Sequence, residues 1–182
     1  MPPPLLQAVL LVDGYNVIGS WSCLKKTLNC HGLEAARQEL VESLINYSAF
    51  QGYATQVVFD AHSQNTRLSC ENLTPHLAVY YTDFGQTADT YIEKFCASFK
   101  FNLTRPAQRL IVATSDRAQQ LTVVGYGAEW MSSQQLASDV EFTARRVTRH
   151  KRPPKQSRGR FLFNSLDAQA QQRLAELRRQ IK

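Results

Sequence analysis

The chain has no apolar run approaching the roughly 18–20 residues that a bilayer-spanning helix needs, which argues against an integral membrane protein. Its opening, MPPPLLQAVLLVDGYNVI, lacks a basic leader segment and a small-residue cleavage pattern, and its apolar run meets Asp13. It therefore does not read as a secretory signal, and a cytoplasmic location is expected. Only four cysteines occur, Cys23, Cys30, Cys70 and Cys96, with no CxxC pair among them. A zinc site of the usual spacing is thereby disfavoured, and a chain of 182 residues needs no disulfide staples, so free thiols are expected. Missing too are the phosphate-cradling GxxxxGK[ST] and GxGxxG loops, so no nucleotide cofactor is expected. There is no GxSxG nucleophile elbow. A phosphatase built on an Asp-x-Asp pair is ruled out by Tyr15, which stands two residues beyond Asp13.

What is present is unevenly placed. Twelve of the 21 Lys and Arg residues, against two of the 15 acids, lie from Arg145 to Lys182, a local balance of +10. The residues before them carry −4. An acidic body with a basic tail fits carboxylates gathered for chemistry and cations gathered for a polyanion.

Strand-length apolar runs alternate with segments of helical period. AVLLVDG reads as a strand buried on both faces, because its apolar residues are continuous rather than alternating. SWSCLKKTLNCHG reads as a loop, and GLEAARQELVESLINYSAFQG as a helix with Leu33, Ala36, Leu40, Leu44 and Tyr47 on one face. ATQVVFDAH, LAVYYTD and RLIVATSD read as the second, third and fourth strands, and AEWMS as a brief fifth. Between them lie the helix ADTYIEKFCASF, with Tyr91, Ile92, Phe95 and Phe99 on one stripe, and the short helix RAQQLTVVGYG. Ser132 and Gln135 resemble a capping box opening SQQLASDVEFTARRV. RHKRPPKQSRGRF then reads as a basic linker, and NSLDAQAQQRLAELRRQIK as an amphipathic helix capped by Ser165. This alternation predicts right-handed crossovers and a mainly parallel sheet covered on both faces.

In such a sheet, functional groups collect at the carboxyl ends of the strands. Asp13, Asp60 and Asp116 all fall there, and Asp89 lies near the start of a helix that faces the same edge. Any one of them alone is accounted for as a helix cap, Asp89 and Asp116 especially. Four on one edge repel each other unless protons or cations intervene. A hard divalent ion, Mg²⁺ or Mn²⁺, suits an all-oxygen site. His62 and His76 read as ordinary loop histidines. Thr114 and Ser115 offer hydroxyls to a phosphate, and Tyr15, Trp21, Tyr81 and Phe84 offer rings on which bases could stack.

With these pieces in order, the chain resembles the YacP-like NYN-domain family, a branch of the PIN-like ribonucleases. The resemblance is carried by LLVDGYNVIG, VVFDAH, VYYTDFGQTADTYIEK, IVATSDRAQQ and GAEWMSSQQL in the family's order, with Arg117 a departure. It implies a PIN-like three-layer α/β sandwich, with a mainly parallel sheet flanked by helices. It also implies a nuclease domain over residues 1–150, followed at 151–182 by the basic linker and C-terminal helix. The implied activity is metal-dependent endoribonuclease cleavage, with Asp13, Asp89, Asp116 and Asn16 catalytic and Asp60 a further metal contributor. Characterised relatives act on messenger RNA at ribosomes, so single-stranded messenger RNA and the ribosome are the implied partners. RNA would be tracked by Arg145, Arg146, Arg149, Lys151, Arg152, Lys155, Arg158 and Arg160, with Tyr15 and Ser115 near the site. The competing expectation is a non-catalytic RNA- or ribosome-binding module in which the acids serve as caps.

Overall fold

The computed structural model describes residues 7–61, 69–100 and 108–151. The chain divides into two compact units, Met1–Arg146 and Val147–Lys182. Of the second unit, only the end of one helix lies among the described residues. The C-terminal helix expected after the basic linker lies outside them.

Six strands form one sheet: β1 (Ala8–Asp13), β2 (Tyr53–Phe59), β3 (Ser69–Thr74), β4 (Leu77–Tyr81), β5 (Arg109–Ala113) and β6 (Glu129–Met131). Their order is β3-β4-β2-β1-β5-β6, and every pairing is parallel except β3 with β4. The helices are α1 (Gly14–Ser20), α2 (Ser22–Gln51), α3 (Ala88–Lys100), α4 (Arg117–Gly125) and α5 (Ser133–Lys151).

The continuous apolar run of β1 is explained by its central position. Leu10 and Val12 pack with Val17 and Ile18 of α1, Leu40 and Leu44 of α2 and Leu136 of α5. Val9 and Leu11 point the other way, onto Ile92 and Cys96 of α3 and Val123 of α4. Every β1 residue is buried, as a strand with a helical layer on each side requires. Three layers follow directly. Helix α5 opens as its sequence signature predicts, with Gln135 N donating to Ser132 Oγ at 3.1 Å. None of the described helices is long and apolar enough to cross a membrane.

Two segments differ from the sequence reading. The expected loop over residues 20–32 is helical: α1 runs to Ser20, and α2 begins at Ser22 and kinks at Gly32, whose φ of 86° no other residue adopts cheaply. Only Leu24 in this stretch is fully buried, so its helical period is too sparse to read. Strand β3 was not expected at all. Its residues are almost entirely exposed at the edge of the sheet, so no hydrophobic alternation marks it. Cys96 is buried, whereas Cys23, Cys30 and Cys70 are exposed.

Candidate active site

Strands that end in an aspartate deliver it to one edge of the sheet. Asp13 closes β1, Asp60 follows β2, Asp116 follows β5, and Asp89 stands in the first turn of α3. Strand β2 pairs with one side of β1 and β5 with the other, so the connections diverge around Asp13. That divergence opens the crevice in which doubly wound sheets place their ligands.

The local bonding shows why these positions are aspartates. Asp13 caps α1, with Asn16 N donating to its Oδ1 at 3.1 Å. Asp116 caps α4, with Ala118 N and Gln119 N donating to its Oδ1 at 2.7 and 3.2 Å. Ala88 N donates to Asp60 Oδ1, which ties the end of β2 to the start of α3. Gln119 Nε2 donates to Asp89 Oδ1, so a buried amide on α4 steadies a carboxylate on α3. Capping thus operates at these positions alongside any chemistry. Yet all of these bonds fall on Oδ1, and among the described residues Oδ2 of each aspartate carries none.

The four also share one electrostatic field. Burial pushes Asp13 up to about 6, the Asn16 N–H opposes this, and the charges of Asp89, Asp60 and Asp116 add to it. Asp89 is raised as well, first by burial and then by Asp116, Asp60 and Glu93, against the hydrogen bond from Gln119. Among the described residues no Lys or Arg is ion-paired with any of the four. Nor, among those residues, do three His, Cys, Asp or Glu side chains stand close enough together to hold a metal ion as a set. The donor chemistry itself, carboxylate oxygen throughout, is that of a hard divalent ion.

Asn16 acts as a brace. Its Oδ1 accepts from Ser115 N at 2.7 Å and from Ser133 Oγ at 3.1 Å, joining α1 to the β5–α4 loop and the start of α5. Its acceptor therefore faces protein, and the amide hydrogens are what remain for a substrate oxygen. Asn16→Ala would orphan two donors at once. It is expected to cost about 2 kcal/mol, measured by thermal or urea unfolding. Asn16→Ser, with a shorter acceptor, should recover part of that loss.

The remaining expected site residues sort differently. Ser115 is exposed, its hydroxyl donating to Gln134 Oε1 at 3.3 Å and accepting from Ser133 N at 3.3 Å. Thr114 is fully buried, and its Oγ1 accepts from Asp116 N, so it supports the loop rather than meeting a phosphate. Trp21 is no stacking platform: it is buried, with Nε1 donating to Ser133 O at 2.6 Å. Tyr15 and Tyr81 are half-buried against Phe59, with centroids 5.2 and 5.8 Å away, whereas Phe84 stands exposed. Arg145 is exposed and paired with Glu141 at 2.6 Å. The Arg146 guanidinium lies 5.2 Å from the Phe50 centroid and 5.7 Å from that of Phe142. Arg149 and Lys151 fall in the last turn of α5, while Arg152, Lys155, Arg158, Arg160 and His62 lie outside the described residues.

Two residues near the site were not read from the sequence. Gln119 is nearly fully buried, bridges Asp89 to the cap of Asp116, and leaves its Oε1 without a partner among the described residues. Arg37, on α2, lies over Tyr15, Phe59 and Tyr81. Nothing in the sequence marks either one, because an amide or guanidinium on an amphipathic helix reads as solvated.

Comparison with known proteins places the fold in a family. The profile of the YacP-like NYN domain matches residues 10–179. The chain is 37% identical over 144 residues to the uncharacterized protein YacP of Bacillus subtilis (strain 168), covering 79% of this chain and 81% of that one. The crystal structure of Rae1 (YacP) from Bacillus subtilis superposes with a TM-score of 0.63 at 36% identity, over 78% of each chain. A tryptophan-to-leucine mutant of the same protein gives a TM-score of 0.63 at 30% identity, over 93% of this chain and 99% of that one.

Proposed function

The chain belongs to the YacP-like NYN domain family, whose domain is of nuclease type, and from that premise we propose that it is a divalent-metal-dependent endoribonuclease. Its substrate in this reading is single-stranded RNA, with ribosome-associated messenger RNA as the natural form. One observation carries the proposal. Four carboxylates from four separate segments share a field at the switch point of the sheet, and among the described residues none has a cationic side chain for a partner.

Asp13, Asp89 and Asp116 would hold the ion through the oxygens their caps leave free, with Asp60 behind them. When bound, Mg²⁺ or Mn²⁺ activates water for attack and neutralises charge that builds on the phosphate. The chain's own residues do the rest. Hydrogen bonds from backbone N–H groups and from Gln119 hold one oxygen of each carboxylate and leave the other to turn toward an ion. Asn16 locks the Asp116 loop against α1 and α5 and offers its amide hydrogens to a phosphate oxygen. The exposed Ser115 hydroxyl is a second donor. The basic stretch from Arg145 to Arg160 tracks the strand with salt-sensitive, sequence-blind affinity.

The test is direct. End-labelled single-stranded RNA incubated with the full chain should be cut internally with Mg²⁺ or Mn²⁺ and remain whole in EDTA. Asp89→Asn retains an acceptor for Gln119 yet should lower the rate on the order of 10³-fold. RNA that is bound but left whole in both metals would instead make the chain a binding module.

A further inference from the structure

Arg37 is a cation that the fold encloses without giving it a buried anion. Its side chain is 13% exposed, and its guanidinium carbon lies 5.3, 5.5 and 5.8 Å from the ring centroids of Tyr15, Phe59 and Tyr81. One Nη donates to the Tyr15 hydroxyl, and the other to Glu34, a carboxylate that is itself 80% exposed. Nε is buried and has no partner among the described residues. Only two of its five N–H donors are therefore engaged there. A surface bridge such as that to Glu34 stabilises little, whereas desolvating a guanidinium is costly. The aromatic faces offset part of that cost and hold the group still. A purely apolar side chain would fill the same space with no such cost.

Two of the three rings come from segments that deliver the carboxylates, and the third is their strand neighbour. Tyr15 stands two residues beyond Asp13, Phe59 immediately precedes Asp60, and Tyr81 pairs with Phe59 across the β2–β4 ladder. The cage thus holds a fixed positive charge at the acidic edge of the sheet, on the side covered by α1 and α2. Among the described residues, its ion-pair partner is Glu34 and none of the four aspartates. An RNA strand entering a pocket of four carboxylates meets a repulsive field, and a rigid cation on the same edge of the sheet gives its backbone an anchor outside that pocket. The planar guanidinium fork matches phosphate oxygens in a way a Lys ammonium does not.

We infer that Arg37 binds a backbone phosphate of the RNA strand flanking the carboxylate cluster, with Tyr15 orienting the guanidinium. This rests on the nuclease reading and assigns that site a substrate contact outside the acids. The test compares Arg37→Met, which keeps the packing over the rings, with Arg37→Lys, which keeps the charge. Affinity is read by fluorescence anisotropy with a labelled single-stranded RNA of mixed sequence, in the Asp89→Asn background, at several salt concentrations. Arg37→Met should weaken binding about tenfold and lower the salt slope by about one. Arg37→Lys should weaken binding less and keep the slope. In the chain with Asp89 intact, both should raise KM more than they lower kcat, with melting temperatures within a few degrees of the parent. Parental affinity, slope and KM in the folded variants would overturn the inference, whatever happens to the melting temperature. If Arg37→Met does not fold, Arg37→Lys decides: weakened binding with raised KM supports the contact, and parental values overturn it. Failure of the unsubstituted chain to cut RNA in either metal would sink the nuclease reading by itself, while the anisotropy comparison would still judge Arg37.

Discussion

Asp13→Asn is expected to make the protein more stable and nearly inactive at once. Asn retains the oxygen that accepts from Asn16 N and is as good a helix cap as Asp, so α1 should begin unchanged. What disappears is a negative charge in a place that resists it. Burial, reinforced by Asp89, Asp60 and Asp116, lifts Asp13 from the ordinary 3.8 to about 6. Each unit of such a shift is worth about 1.4 kcal/mol, so holding Asp13 ionised costs roughly 3 kcal/mol at neutral pH. The folded chain binds this proton more tightly than the unfolded one. Stability from this group is therefore greatest when it is protonated and is lost as pH rises from about 4 to about 6. At pH 7, in EDTA, the Asn variant should melt several degrees above the parent. That lead should shrink as pH falls toward 4, where the parent is protonated as well. Adding Mn²⁺ should reverse the order, because only the parent gains a ligand that binds the folded state. Cleavage should fall on the order of 10³-fold. Calorimetry across this pH range, with and without Mn²⁺, reads the stability effects, and cutting of end-labelled RNA reads the rate. Equal melting temperatures at every pH would mean that Asp13 is not under strain.

Gly14→Ala should be the most disruptive glycine-to-alanine change among the described residues. Gly14 follows Asp13 directly and lies buried against Phe59, and a Cβ built there falls 2.2 Å from a Phe59 ring carbon, well inside van der Waals contact. The ring cannot step aside. Phe59 is fully buried and packed against Tyr15 and Tyr81, with Arg37 across it. Overpacking of this kind costs about 3 kcal/mol, equivalent to a melting temperature roughly 10 °C lower. The damage should reach function too, since displacing Phe59 moves the cage that fixes Arg37. Phe59→Leu opens space for the added methyl. The double variant should therefore be clearly more stable than the two single losses added together, as expected for residues in contact. Gly14→Ala melting with the parent would show that the ring does not press on this glycine.

How much of this was legible in the sequence depended on burial. Strand β1 and its terminal Asp13 stood out because a strand covered on both faces must be continuously apolar until the chain turns. The α3 stripe of Tyr91, Ile92, Phe95 and Phe99 was equally plain, for all four residues face one core. Strand β3 left no trace, since its residues are almost all exposed and pair with β4 chiefly through the backbone. The helix over residues 22–31 was hidden for a related reason, with Leu24 its one deeply buried side chain. At the site, the aspartates were found because strand ends are where such sheets work. The division of labour around them was not. Thr114 and Trp21 serve the loop and the core, because the fold brings Asp116 N to the one and Ser133 O to the other. Arg37 depends on rings from three separate segments meeting over one helix, a coincidence that spacing along one chain does not encode.

The central claim is that carboxylates from separate segments, gathered at one edge of the sheet, hold a divalent ion. Crystals of the full chain grown with Mn²⁺ and measured at the manganese absorption edge test it most directly. The account predicts an anomalous peak bounded by oxygens of Asp13, Asp89 and Asp116. No peak at that edge of the sheet, with the three carboxylates still apart at saturating Mn²⁺, would contradict it.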